Sequence, residues 1–153
     1  MDINKRLKEL GIELPVAPVP TASYVPFLLA GEFLFIAGQV PVLQGEVHYA
    51  GRLGETLSLE QGVAAARMCG INILTQVSAA LDGDLNRVIG CVRLGGFVHA
   101  TPGFTDHPKV VNGASDLMIE VFGDKGKHTR VAVGVASLPR GVGVEIDAIF
   151  RVK

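Results

Sequence analysis

Hydrophobic and polar positions change rhythm several times along the 153 residues. From Ser58 onward, apolar or small residues recur at steps of three and four: Leu59, Val63, Ala66, Gly70, Leu74, Val77 and Leu81. That spacing predicts one stripe of a long helix. Ser58 with Gln61 three residues later reads as a capping box at its start, and Gly83 ends it. The small residues in the stripe predict close packing against a sheet. A second helix is predicted over Val110 to Phe122, stopped by Gly123. A short first helix begins at Asp2, carries Ile3, Leu7 and Leu10 on one face and ends at Gly11. Tyr24 to Ala30 and Glu32 to Ala37 read as strands joined at Gly31, and Arg87 to His99 as a third, with Gly95-Gly96 marking a bulge or a close backbone approach. The proline-bearing stretch Leu14 to Ala22 is predicted extended, while 38 to 57 and Ala100 to Pro108 read as loops.

The C-terminal end alternates with period two. Val131, Val133 and Val135 alternate with Arg130, Ala132 and Gly134, and Val144, Ile146, Ala148 and Phe150 alternate with Glu145, Asp147 and Ile149. Successive strand side chains point to opposite faces, so Arg130 and Glu145 are both expected on the face away from the large apolar groups. A hairpin closing around Ser137-Leu138 would set guanidinium and carboxylate opposite one another. Such a pair is either a cross-strand ion pair, worth about 0.2–1 kcal/mol, or a site for a small carboxylate. The element order is ββαβαββ after an N-terminal helix, which predicts one α+β domain over 1–153. Two helices cover one face of such a sheet. The other face, assigned Ala132, Gly134 and Ala136, suits contact with further copies of the chain and predicts a homo-oligomer.

Composition narrows the function classes. Hydrophobic residues are 48% and charged residues 19% of the chain, which suits a packed core rather than disorder. A formal net charge of -1 and the lack of a basic cluster argue against nucleic acid and anionic membranes. No stretch is long and apolar enough to span a bilayer, and the charged amphipathic N-terminus does not read as a secretory signal. Cys69 and Cys91 lack metal-ligand spacing and read as reduced core residues of a cytoplasmic protein. His48, His99, His107 and His128 have no helical ligand spacing, so no metal site is expected. No cofactor motif is present: Gly95-Gly96 fits no phosphate or dinucleotide pattern.

Three segments together carry a family resemblance. They are Tyr24 near the first strand, the run Phe35-Ile36-Ala37-Gly38-Gln39-Val40-Pro41, and the pattern Arg130…Leu138-Pro139…Val144-Glu145-Ile146. With their spacings they resemble the YjgF/RidA family, also described as endoribonuclease L-PSP or translation-initiation-inhibitor-like. The resemblance covers nearly the whole chain beyond the first helix. The segment Phe104 to Leu117, including His107-Pro108-Lys109-Val110-Val111-Asn112-Gly113-Ala114-Ser115-Asp116-Leu117, looks like a longer branch of that family.

The resemblance implies a chorismate-mutase-like fold, a homotrimer with ligands in clefts between subunits, and no cofactor. It also implies hydrolysis of 2-imino acids, or enamines such as 2-aminoacrylate, to 2-oxo acids and ammonia. By position, Arg130 would hold the substrate carboxylate through its planar fork, and Glu145 would orient water or shuttle its proton. Gly38 would offer a backbone donor and Tyr24 would close the cleft. Asn112 is the nearest match to the family's helix-start asparagine, although Asn112-Gly113 also reads as a helix-entry signal. Two positions depart from the pattern: Ala132 stands where many family deaminases have cysteine, which excludes a nucleophilic cysteine there, and Ala37 stands where serine is frequent. Asp106, His107 and His128 read as loop residues. The rival functions are a non-catalytic protein that binds or senses a small carboxylate, an endoribonuclease, and a holdase-like surface.

Overall fold

The computed structural model describes residues 1–153. Helix α1 (Ile3–Glu9) is capped as the sequence predicts, with Asp2 accepting from Asn4 N and Lys5 N, and it buries Ile3 and Leu7. Helix α2 (Leu59–Ala80) opens on a complete capping box: Ser58 N donates to Gln61 Oε1 at 2.9 Å and Gln61 N to Ser58 Oγ at 3.1 Å. Helix α3 spans His107–Phe122 and starts three residues earlier than the apolar pattern predicts. Pro108 sits in its first turn, where a missing N–H costs nothing.

The strands are β1 (Phe27–Ala30), β2 (Phe33–Gln39), β3 (Val42–Leu43), β4 (Glu46–Val47), β5 (Val88–His99), β6 (Thr129–Val135) and β7 (Val144–Val152). Five form one sheet in the order β1-β2-β7-β5-β6, and β3 pairs with β4 in a small separate hairpin. That hairpin lies inside the stretch predicted as loop. Its turn puts Gln44 at φ 51° and Gly45 at φ 80°, the left-handed pair that a two-residue hairpin loop needs. Tyr24 precedes the sheet rather than starting β1.

The expected terminal hairpin does not form. β6 runs parallel to β5, with Arg130 beside Leu94, while β7 pairs antiparallel with β5 from the other side, with Glu145 beside Phe97. A strand–helix–strand unit, here β5-α3-β6, returns its second strand parallel to the first, and the site next to β5 is then filled. The chain must cross the end of β5 to reach β7. It does so through a 3₁₀ turn at Pro139–Gly141, with Arg140 at φ 59° and Gly141 at φ 69°. Hydrogen bonds from Gly51 N to Gly141 O and from Gly143 N to Tyr49 O tie the crossing to the preceding loop.

The face assignment also changes. Leu34 and Ile36 of β2, Leu94 and Val98 of β5, and Val144, Ile146, Ala148 and Phe150 of β7 face the helices and are buried. Arg130, Ala132 and Gly134 lie on this helix side as well: Ala132 packs against the core, and a Cβ at Gly134 would meet His107 Nε2. The helix-free face instead carries Phe35, Phe97, Val131, Val133, Ile149, Glu145 and Asp147, several of them substantially exposed. Ala136 lies past the end of β6.

The two main helices touch backbone to backbone. A Cβ at Gly113 of α3 would run into the Val63 carbonyl of α2, with Arg67 N only 3.1 Å away. Alanine would ordinarily favour a helix over glycine by about 1 kcal/mol, but overpacking of this kind costs about 1–3 kcal/mol or more. Gly113→Ala is therefore expected to lower stability by about 2 kcal/mol. Urea denaturation should show a lower midpoint with an unchanged slope.

Candidate functional site

Arg130 projects from edge strand β6 toward the first turns of α3. Its Nη1 donates to Asn112 Oδ1 at 2.8 Å and to Ser115 Oγ at 3.0 Å, and its Nη2 donates to the Pro108 carbonyl at 3.2 Å. Positions 108, 112 and 115 fall on one helix face by steps of four and three. All three acceptors are neutral, and no carboxylate meets the guanidinium. Three of its five N–H donors are thus used for orientation, leaving Nε–H and one Nη2 hydrogen for a ligand.

Ser115 is itself held in place. It is 7% exposed, and its Oγ lies 2.9 Å from His128 Nε2, while His128 Nδ1 lies 2.6 Å from the Gly126 carbonyl. A carbonyl only accepts, so Nδ1 carries a proton and donates to it. In the neutral ring Nε2 then accepts from Ser115 Oγ–H, whose lone pairs face Arg130. The result is a chain of oriented dipoles behind the cation. Ser115 was missed in the sequence and His128 was read as a loop residue. The spacing of Asn112 and Ser115 was the available signal.

Glu145 stands elsewhere. It lies on β7 with β5 between it and β6, and it faces the helix-free side. Two strand spacings separate its strand from that of Arg130, about 10 Å, and the two side chains are on opposite faces of the sheet. The expected juxtaposition within one chain is thus absent, and so is the cross-strand ion pair. Glu145 is half-buried, and burial, followed by the neighbouring Asp147 carboxylate, pushes its pKa up. Asp147 is partnered by Arg93 at 3.5 Å.

Glu145 does meet another of the expected residues. The β2–β7 register shifts between Ile36 and Gln39, and this bulge turns Gly38 onto the Glu145 side. A Cβ at Gly38 would collide with Glu145 Oε1, so a larger residue there would force the Glu145 side chain to move aside. Tyr24, 64% exposed, and Gly38 together line a cavity of about 530 Å³. The site residues therefore sort into two halves: Arg130 with Asn112 on the helix side, and Glu145 with Gly38 and Tyr24 around the other end of the sheet. Ala132 lies beside the first half and Ala37 beside the second. Asp106 pairs with Lys109 at 3.4 Å and the His107 ring packs edge-on to Phe104, so neither joins Arg130.

Geometry and sequence converge with known proteins. Residues 4–142 match the family described as "YjgF/chorismate mutase-like, putative endoribonuclease", and the chain belongs to that family. It is 46% identical over 150 residues to protein TCP17 of Trypanosoma cruzi, covering 97% of this chain and 93% of that protein. The crystal structure of Atu1372 from Agrobacterium tumefaciens, a protein of unknown function, superposes with a TM-score of 0.92 at 45% identity, covering 99% of this chain and 92% of that one. A structure described as a "putative endoribonuclease" from Shewanella oneidensis gives a TM-score of 0.94 at 32% identity over 99% of this chain and all of the other. No helix is long and apolar enough to cross a membrane.

The raised pKa of Glu145 has a pH signature. The fold favours the protonated carboxyl, so stability falls as pH climbs from the unfolded-state pKa through the raised folded one, and levels off above it. Glu145→Gln lacks that loss. Thermal melts are expected to show the variant gaining on the parent at neutral pH, with the gap closing below the ordinary carboxylate range.

Proposed function

We propose that the protein hydrolyses small 2-imino acids, or their enamine tautomers, to 2-oxo acids and ammonia, in clefts completed by a second copy of the chain. The observation that carries this is Arg130: a guanidinium steered by three neutral acceptors, with donors left over and no acid to neutralise it. Arg67, by contrast, is neutralised by Glu120 at 2.9 Å. Glu145 and Gly38 supply the complementary chemistry but point away from Arg130. Another copy, laid against the helix-free face, brings its Arg130 and this chain's Glu145 to one ligand. A ring of three such copies, with one cleft per contact, satisfies every half-site, and the apolar Phe35, Val131, Val133 and Ile149 on that face favour the contact.

The chemistry requires positioning more than covalent machinery. Arg130 fixes the substrate carboxylate. Water adds to the imine carbon, forming the C–O bond, as Glu145 takes its proton. Starting from the protonated imine, the same carboxyl returns that proton to the nitrogen. It then takes the carbinolamine hydroxyl proton as the C=O bond forms and the C–N bond breaks. The departing ammonia carries that proton away as ammonium, leaving the 2-oxo acid and the restored carboxylate. A carboxyl whose pKa is raised toward neutrality suits both transfers. Asn112 acts as a positioning residue for Arg130 rather than as a ligand contact. No cysteine is involved, in keeping with Ala132.

The assay generates imines with an amino acid oxidase and traps the survivors with semicarbazide. The wild-type protein is expected to outcompete the trap, and Arg130→Ala to lose about 100-fold or more in kcat/KM, in line with losing a charge-assisted pair. Imine decay no faster than in buffer, with 2-oxo acid binding retained, would establish a binding protein instead, and Arg130-dependent cleavage of RNA would establish the ribonuclease. Shared clefts are checked by mixing inactive Arg130→Ala and Glu145→Ala chains after mild unfolding. Random reassembly restores about a quarter of the clefts, and activity should recover accordingly; a mixture as dead as its parts rules out sharing between subunits.

A further inference from the structure

One turn of α2 breaks its own pattern. Asn72, Thr75 and Gln76, at i, i+3 and i+4, are buried on a helix whose neighbouring Ile73, Leu74 and Val77 form the core. Buried polar groups are costly unless bonded. Two of the three are accounted for: Asn72 Nδ2 donates to the Val40 and Val42 carbonyls, both at 2.9 Å, and Thr75 Oγ1 donates to Ile71 O at 2.9 Å. Gln76 is not. As a residue it is 2% exposed, no hydrogen bond within the chain reaches its amide, and the amide atoms open only onto the 530 Å³ cavity that it lines.

That cavity is of a size that takes small organic groups. Its floor is α2, its roof is the proline-rich strap Pro15–Thr21, and Arg140 stands in its wall, with Nη2 3.4 Å from the Gly45 carbonyl. Tyr24 and Gly38 line it too, and Gly38 is the residue pressed against Glu145. The space therefore begins beside the reacting half-site and ends on an unpaired carboxamide.

We propose that this cavity receives the substrate's side chain and selects one ending in a carboxamide, as in imino acids derived from asparagine or glutamine, with Gln76 as the specificity-determining residue. A carboxamide can give one hydrogen bond to the Gln76 amide and take one from it, which satisfies both partners. An apolar side chain of the same shape would leave Gln76 buried and unpaired, the situation that sites of this kind reject most strongly. A carboxylate would bring no donor for the Gln76 carbonyl or for Asn72 Oδ1. This assignment rests on the imine-hydrolysis reading for the reacting end of the substrate, while the pairing with Gln76 stands on the cavity alone.

Two measurements separate the claims. Asparagine and leucine side chains have nearly the same shape, so kcat/KM is compared for imines generated from asparagine, leucine and alanine. The asparagine-derived imine is expected to lead the leucine-derived one by about 10-fold or more, and Gln76→Leu to erase that ratio. Independently, adding asparagine or glutamine, but not leucine, to the wild-type protein should shift the Gln76 side-chain amide resonances. Rapid hydrolysis of the alanine-derived imine with equal handling of the other two, before and after the substitution, overturns the proposal and leaves the general activity intact. No acceleration of any imine, with the amide shifts still seen, removes the activity and keeps the carboxamide pocket. No acceleration and no shift removes both.

Discussion

The ladder between β5 and β6 runs parallel, and a parallel neighbour is reached only through a crossover long enough to hold a helix. Nearly everything of functional interest follows from that constraint. α3 is the crossover, so it lies over β6 and can offer Pro108, Asn112 and Ser115 to a side chain on that strand. With one side of β5 taken, β7 has to pair on the other, which puts a full strand between the arginine and the glutamate. One pairing choice both steadies the cation and parts it from the acid.

The same layering explains why the two halves have different electrostatic characters. On the helix side Ser115 and His128 form a hydrogen-bonded chain behind Arg130, whose neutral partners orient the charge without cancelling it. The bare side leaves Glu145 half-buried beside Asp147, and burial followed by that neighbouring carboxylate raises its pKa.

Much of this was legible in the residues, and the failures have definite causes. The capping box of α2 competes with nothing and formed as expected, and the apolar stripe forms a helix, but its small Gly70 packs against Ala114 and Leu117 of α3 rather than against the sheet. The terminal hairpin was expected because two alternating segments with a short connection favour direct pairing. The order strand–helix–strand upstream pointed to a parallel neighbour for β5, and that rule overrode the local one. Reading Arg130 onto the open face followed from the same error. The motif spacing did identify Arg130, Glu145, Gly38 and Tyr24 as residues to place, but not the register shift that turns Gly38 onto Glu145, since a bulge leaves little trace in alternation. The cavity was out of reach for another reason. Its roof is a strap with no regular structure, and its floor hides three polar side chains in a helix that periodicity alone marks as ordinary.

Gly38 serves two neighbourhoods at once, a carboxylate on one side and a cavity wall on the other, with only backbone between them. An atom added there would intrude on the acid, and the Glu145 side chain would have to turn aside to admit it. Substitutions along the helix floor and the strap, by contrast, would reshape the chamber and leave Glu145 untouched.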